Sequence, residues 1–108
     1  MTDETGQGNS NVFTQLITMT IKPEREADFL ETARRAIELV EANESWTSLY
    51  VLTRHPDRPH TYVWLERYAD EAASQKHGNM SYMPELLASV RECVSGVERL
   101  VLEQTLPA

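Results

Sequence analysis

The sequence predicts an α+β fold, one antiparallel sheet backed by helices, on the strength of two patterns. Residues 12–21 and 61–68 are rich in β-branched and aromatic side chains and alternate with period two, as half-buried strands do. Residues 24–42 and 83–94 place apolar side chains three and four positions apart, which makes one stripe along a helix. At 108 residues the chain is long enough for a single core and too short for two.

In the first strand Phe13, Ile17, Met19 and Ile21 share a side with Gln15, while Thr14, Thr18 and Thr20 share the other with Val12 and Leu16. Pro23 suits the first turn of a helix, where a missing N–H costs nothing, and Glu24, Glu26 and Asp28 match its positive end. That helix is expected from Glu24 to Ala42, with Phe29, Leu30, Ala33, Ala36, Ile37 and Val40 as its stripe. Trp46, Leu49, Tyr50, Val51 and Leu52 mark a strand over 46–54, and Tyr62, Val63, Trp64, Leu65 and Tyr68 mark another over 61–68. The intervening 55–60, with Pro56, Asp57 and Pro59, reads as a hairpin loop.

Asp70 is a good N-cap for a short helix through His77, and Gly78 a good stop. A second helical stretch carries Met83, Leu86, Leu87, Val90 and Val94 on one face. Ser81 is its expected cap, Pro84 lies in its first turn and Gly96 is its expected break. A last strand is expected over 97–106, with Leu100, Leu102 and Leu106 on one side. The resulting βαββαβ order is that of ferredoxin-like folds. Helices cover one sheet face; the other also carries apolar residues, so a second copy's sheet is its expected cover. Residues 1–10 are polar and read as a flexible tail, leaving 11–108 as a single domain.

The formal net charge of -7 lacks the footprint of a nucleic-acid binder and disfavours anionic membrane surfaces. No apolar run approaches the ~18 residues of a membrane span. The polar N-terminus has no secretory pattern, so a cytoplasmic location is expected. The single cysteine, Cys93, sits in an apolar helical pattern and is expected in the core. His55 and His60 lack further ligands for a metal, and no glycine-rich phosphate loop is present.

The stretch from Tyr62 to Ala73, Tyr-Val-Trp-Leu-Glu-Arg-Tyr-Ala-Asp-Glu-Ala-Ala, followed by His77, resembles the antibiotic biosynthesis monooxygenase domain family. Ile21-Lys22-Pro23 leading to Phe29 resembles that family's first crossover, and Arg54-His55-Pro56-Asp57 its hairpin loop, so the resemblance spans about residues 12–105. Tyr82 stands where members often carry a second histidine, Tyr68 where tryptophan is usual, and Trp64 where leucine or methionine is common. The resemblance implies a homodimer whose two sheets form a barrel, with a pocket between sheet and helices in each subunit. It also implies oxidation of a small hydroxylated aromatic, anthrone- or quinol-like, by dioxygen without a cofactor. Haem-degrading relatives place an asparagine on the first strand, and residues 12–21 have none.

Cofactor-free oxygenation needs a base, donors for an oxyanion and an apolar aromatic wall. Tyr62, Trp64, Glu66 and Tyr68 fall on one face by alternation, and His77, Asn79 and Tyr82 follow in the chain. His77 is the expected base, Tyr68 and Tyr82 the donors, Trp64 the stacking wall, and Tyr62, Glu66 and Asn79 further pocket residues. Val63, Leu65 and Arg67 then face the partner. A ligand-binding dimer without turnover and a base-catalysed isomerase are the alternatives.

Overall fold

The structure is a computed structural model that describes residues 11–107. The expected tail at 1–10 lies outside the described residues. The elements are β1 (Phe13–Ile21), a 3-10 turn (Pro23–Arg25), α1 (Glu26–Asn43), β2 (Thr47–Arg54), β3 (Thr61–Tyr68), α2 (Glu71–Gly78), α3 (Met83–Cys93) and β4 (Val94–Leu102). The sheet runs β2-β3-β1-β4 with every neighbouring pair antiparallel, the ferredoxin-like βαββαβ arrangement.

Local chemistry explains most boundaries. Asp70 caps α2 by accepting the Ala73 N–H at 2.8 Å. Pro23 opens a 3-10 turn rather than the α-helix itself, which begins at Glu26 instead of Glu24. The end of α3 differs more from expectation. Val94 ends the helix, its N–H reaching the Val90 carbonyl, and in extended conformation starts β4. Gly96 does not break the chain: it pairs with Thr20 inside β4, without positive φ, and a bulge between Thr20 and Ile21 absorbs the change of register. β4 therefore ends at Leu102, leaving Leu106 outside the strand and exposed. Tyr82, not Ser81, is the N-cap residue of α3, and no side chain caps that end.

The two faces of the sheet are chemically distinct. Toward the helices, register aligns Gln15 with Glu66, Ile17 with Trp64 and Met19 with Tyr62. One core cluster joins Ile21, Phe29, Tyr62 and Cys93; the Phe29 ring lies 5.3 Å from that of Tyr62. A second joins Ala36, Met83 and Leu86 between α1 and α3. Burying a side chain such as Phe29 stabilises the fold by about 1.5–3 kcal/mol. Cys93 is buried as a free thiol, and burial pushes its pKa up. On the opposite face Val51, Leu65, Leu16 and Leu100 are register partners in one row across all four strands. Val51 and Leu100, at the ends of that row, are exposed. Among the described residues no helix is long and apolar enough to cross a membrane.

Candidate active site

β3 is the strand that builds the site. Its alternation holds: Tyr62, Trp64, Glu66 and Tyr68 are buried beneath the helices, while Val63, Leu65 and Arg67 point to the open face. Over this strand α1 presents Ala33 and Ala36, small residues one turn apart, where larger ones would fill the space. A cavity of about 250 Å³ results. Ile17, Met19, Tyr50 and Trp64 line it from the sheet, and Met83, Leu86, Leu87 and Val90 from α3. Gln15, Glu66 and His77 form its polar end, and among the described residues no lysine or arginine lines it. A separate hollow of about 270 Å³ beside Arg25, Asp28, Glu31 and Glu92 is open and charged, and lacks an apolar wall.

Two buried carboxylates organise the polar end. Glu66 accepts from the Tyr68 hydroxyl at 2.6 Å and from Gln15 Nε2 at 2.8 Å, both on Oε1. Gln15 Oε1 in turn accepts Arg99 Nε at 2.6 Å. The remaining oxygen of Glu66, Oε2, takes no bond from any described residue. The second carboxylate, Glu44, follows the end of α1, and its side chain is wholly buried. Its oxygens lie 2.8 and 2.9 Å from His77 Nδ1. Thr47 Oγ1 donates to it at 2.8 Å, and the Tyr82 hydroxyl also donates to it.

His77 sits on the last turn of α2, its ring 5.3 Å from both the Tyr50 and Tyr68 rings. Trp64 stacks on Tyr50 at 4.9 Å and 32°. Burial, then the charges of Glu66 and Glu44, push the Tyr50 hydroxyl pKa far up. Burial and Glu66 do the same to Tyr68, and burial and Glu44 to Tyr82. Kept in their neutral form, Tyr68 and Tyr82 donate their hydroxyl protons to Glu66 and Glu44.

Of the residues singled out from sequence, His77, Trp64 and Glu66 come together on the cavity. Tyr68 is fully buried behind Glu66, and Tyr82 spends its hydroxyl on Glu44. Tyr62 lies in the other core cluster, its hydroxyl donating to Glu26 at 2.7 Å. Asn79 is the C-cap of α2 and does not line the cavity. Among the described residues no three His, Cys, Asp or Glu side chains gather as metal ligands. His55 Nδ1 accepts the Asp57 and Arg58 amides, and His60 Nδ1 contacts Glu26. Sequence reading missed Tyr50 and Glu44. It placed Gln15 on an otherwise apolar strand side without assigning it a partner.

The fold and the site define the class: an α+β protein of the ferredoxin-like type with a mostly apolar cavity under its helices, bounded at one end by a carboxylate and a histidine. Residues 12–95 match the family model described as antibiotic biosynthesis monooxygenase, and the chain belongs to that family. It is similar to the candidate monooxygenase YcnE of Bacillus subtilis (strain 168), with 29% identity over 75 residues, 69% of this chain and 78% of that one. The crystal structure of a candidate antibiotic biosynthesis monooxygenase from Caulobacter crescentus CB15 superposes with a TM-score of 0.85 at 25% identity, covering 89% and 92% of the two chains. One from Nitrosomonas europaea gives a TM-score of 0.82 at 14% identity over 91% and 94%, a likeness of fold.

Proposed function

We propose that the protein is a cofactor-independent monooxygenase that oxidises a small hydroxylated aromatic with dioxygen. The observation that carries this reading is a cavity mostly apolar on its sheet and helix walls, with both Glu66 and His77 at its polar end. At about 250 Å³ it falls below the ~300–1,000 Å³ of drug-sized sites, which favours a one- or two-ring quinol over a larger anthrone. Because no lysine or arginine among the described residues lines it, the cavity suits an uncharged aromatic better than a phosphorylated or carboxylated ligand.

In this reading the aromatic ring stacks on Trp64, one hydroxyl donates to Glu66 Oε2, and His77 removes a substrate proton. Tyr50, kept protonated, donates to the oxyanion that forms. The ionised, electron-rich ring reduces dioxygen itself. A C–O bond forms at a ring carbon, and the second oxygen atom leaves as water with two substrate hydrogens, so a quinol yields a hydroxyquinone.

The row Val51–Leu65–Leu16–Leu100 supports a homodimer closed over the open sheet face.

The test is dioxygen uptake by metal-stripped protein with naphthohydroquinones and anthrones, corrected for spontaneous oxidation. Uptake is expected, and His77→Ala should lower it about 100-fold or more with the fold intact. Tight binding without uptake would leave the ligand-binding alternative. Uptake untouched by His77→Ala would remove His77 as base.

A further inference from the structure

The proposed reaction makes no use of Glu44, although its wholly buried carboxylate lies directly against His77. A carboxylate is expensive to bury and is tolerated where donors satisfy it. Here three side chains do so: Thr47, Tyr82 and His77. They come from β2, the α2–α3 connector and α2, so distant parts of the chain converge on one side chain. The arrangement is more than a helix end requires. Backbone alone already closes that end, because the Glu44 N–H bonds the Val40 carbonyl at 2.8 Å.

We infer that Glu44 is the positioning residue of the site: it holds the proton of the His77 ring on Nδ1, so that whenever the ring is neutral the bare Nε2 is left for the ligand. An ionised carboxylate can only accept, so the nitrogen 2.8 and 2.9 Å from its oxygens must be the one that donates. The Tyr50 and Tyr68 rings flank the imidazole and limit its rotation. When Nε2 takes the substrate proton, the imidazolium that forms lies against a charge already in place. Tyr82 acquires a role here as well. It holds the Glu44 carboxylate through its hydroxyl and therefore acts at one remove from the ligand.

The consequence for rate rests on the oxygenase reading; the state of the ring does not. Long-range ¹H–¹⁵N spectra of the full chain, recorded at about pH 8.5 where imidazole is ordinarily neutral, read the tautomer without any substrate. Protonated Nδ1 and bare Nε2 on His77 are expected, and an Nε2–H tautomer would overturn the inference. Glu44→Gln should lower kcat about 10–100-fold while KM changes little. If that variant does not fold, Tyr82→Phe and Thr47→Val each remove one donor to Glu44 and should lower kcat in the same direction. An Nδ1–H ring with no oxygen uptake would leave Glu44's role standing and remove the oxygenase. Full uptake in Glu44→Gln would do the reverse.

Discussion

Trp64→Leu separates a residue that grips the ligand from one that merely fills space. Trp64 is 4% exposed, lines the cavity and stacks on Tyr50 at 4.9 Å. Truncation to alanine would remove about 3–5 kcal/mol of packing from a fold whose whole stability is ~5–15 kcal/mol, confusing binding with folding. Leucine keeps much of the apolar volume and deletes the aromatic face. An offset stack is worth ~0.5–1.5 kcal/mol beyond area, so Kd for a naphthohydroquinone should rise about 2- to 13-fold, more if contact area is also lost. Anaerobic calorimetry measures this without turnover. Trp46→Phe leaves Trp64 as the sole tryptophan, and its emission should change on saturation. Trp46 has Lys76 Nζ 4.0 Å above its ring and lies outside the cavity wall, so emission from the Trp64→Leu protein should not respond. An unchanged Kd in Trp64→Leu, with silent fluorescence in Trp46→Phe, would refute the stacking wall.

Two further outcomes follow from groups away from the cavity. Glu26 accepts from Tyr62 at 2.7 Å, contacts His60 Nδ1 at 3.0 Å and lies near Arg54; Tyr62 first, then His60, hold its carboxyl below the usual carboxylate range. Its stabilisation is present above the ordinary carboxylate pKa and is lost as pH falls through its depressed folded value. The urea midpoint should therefore drop below about pH 4.5, and Glu26→Gln should flatten that part of the profile. On the open face, Leu100→Asp places a charge in the row it forms with Leu16 and Leu65. Sedimentation should shift from twice the 12.3 kDa chain mass to the chain mass, and a wild-type monomer at micromolar concentration would remove the barrel.

Local patterns carried most of the fold. Alternation in β1 and β3 assigned each residue to its face, because a strand's period is two and one face is buried. The α1 stripe and the Asp70 cap were readable for the same reason: the physics lies within a few residues. Three features were not. Leu49, Tyr50, Val51 and Leu52 are apolar in succession, so β2 gave no clue that Tyr50 turns to the cavity. Glu44 reads as one more acid after a helix; His77, 33 positions on, makes it a buried anion. Tyr68 and Tyr82 looked like free donors because sequence cannot show that Glu66 and Glu44 already hold their hydroxyls. Gly96 looked like a break, but long-range pairing with β1 overrode its local preference.

The sheet is one residue thick, so the ligand and the open face are served by interleaved positions of the same strand. Trp64 and Glu66 meet the cavity, while Val63 and Leu65 lie on the other side. Under the proposed function, even positions of β3 would set ligand choice and odd positions self-association, so point substitutions could retune the two separately. A one-residue slip of the whole of Thr61–Tyr68 would instead exchange the two sets together, sending Arg67 inward and aromatic rings outward. An added residue in the 55–60 hairpin or the 79–82 connector leaves the strand parity untouched, so those loops should accept it more readily than β3 does.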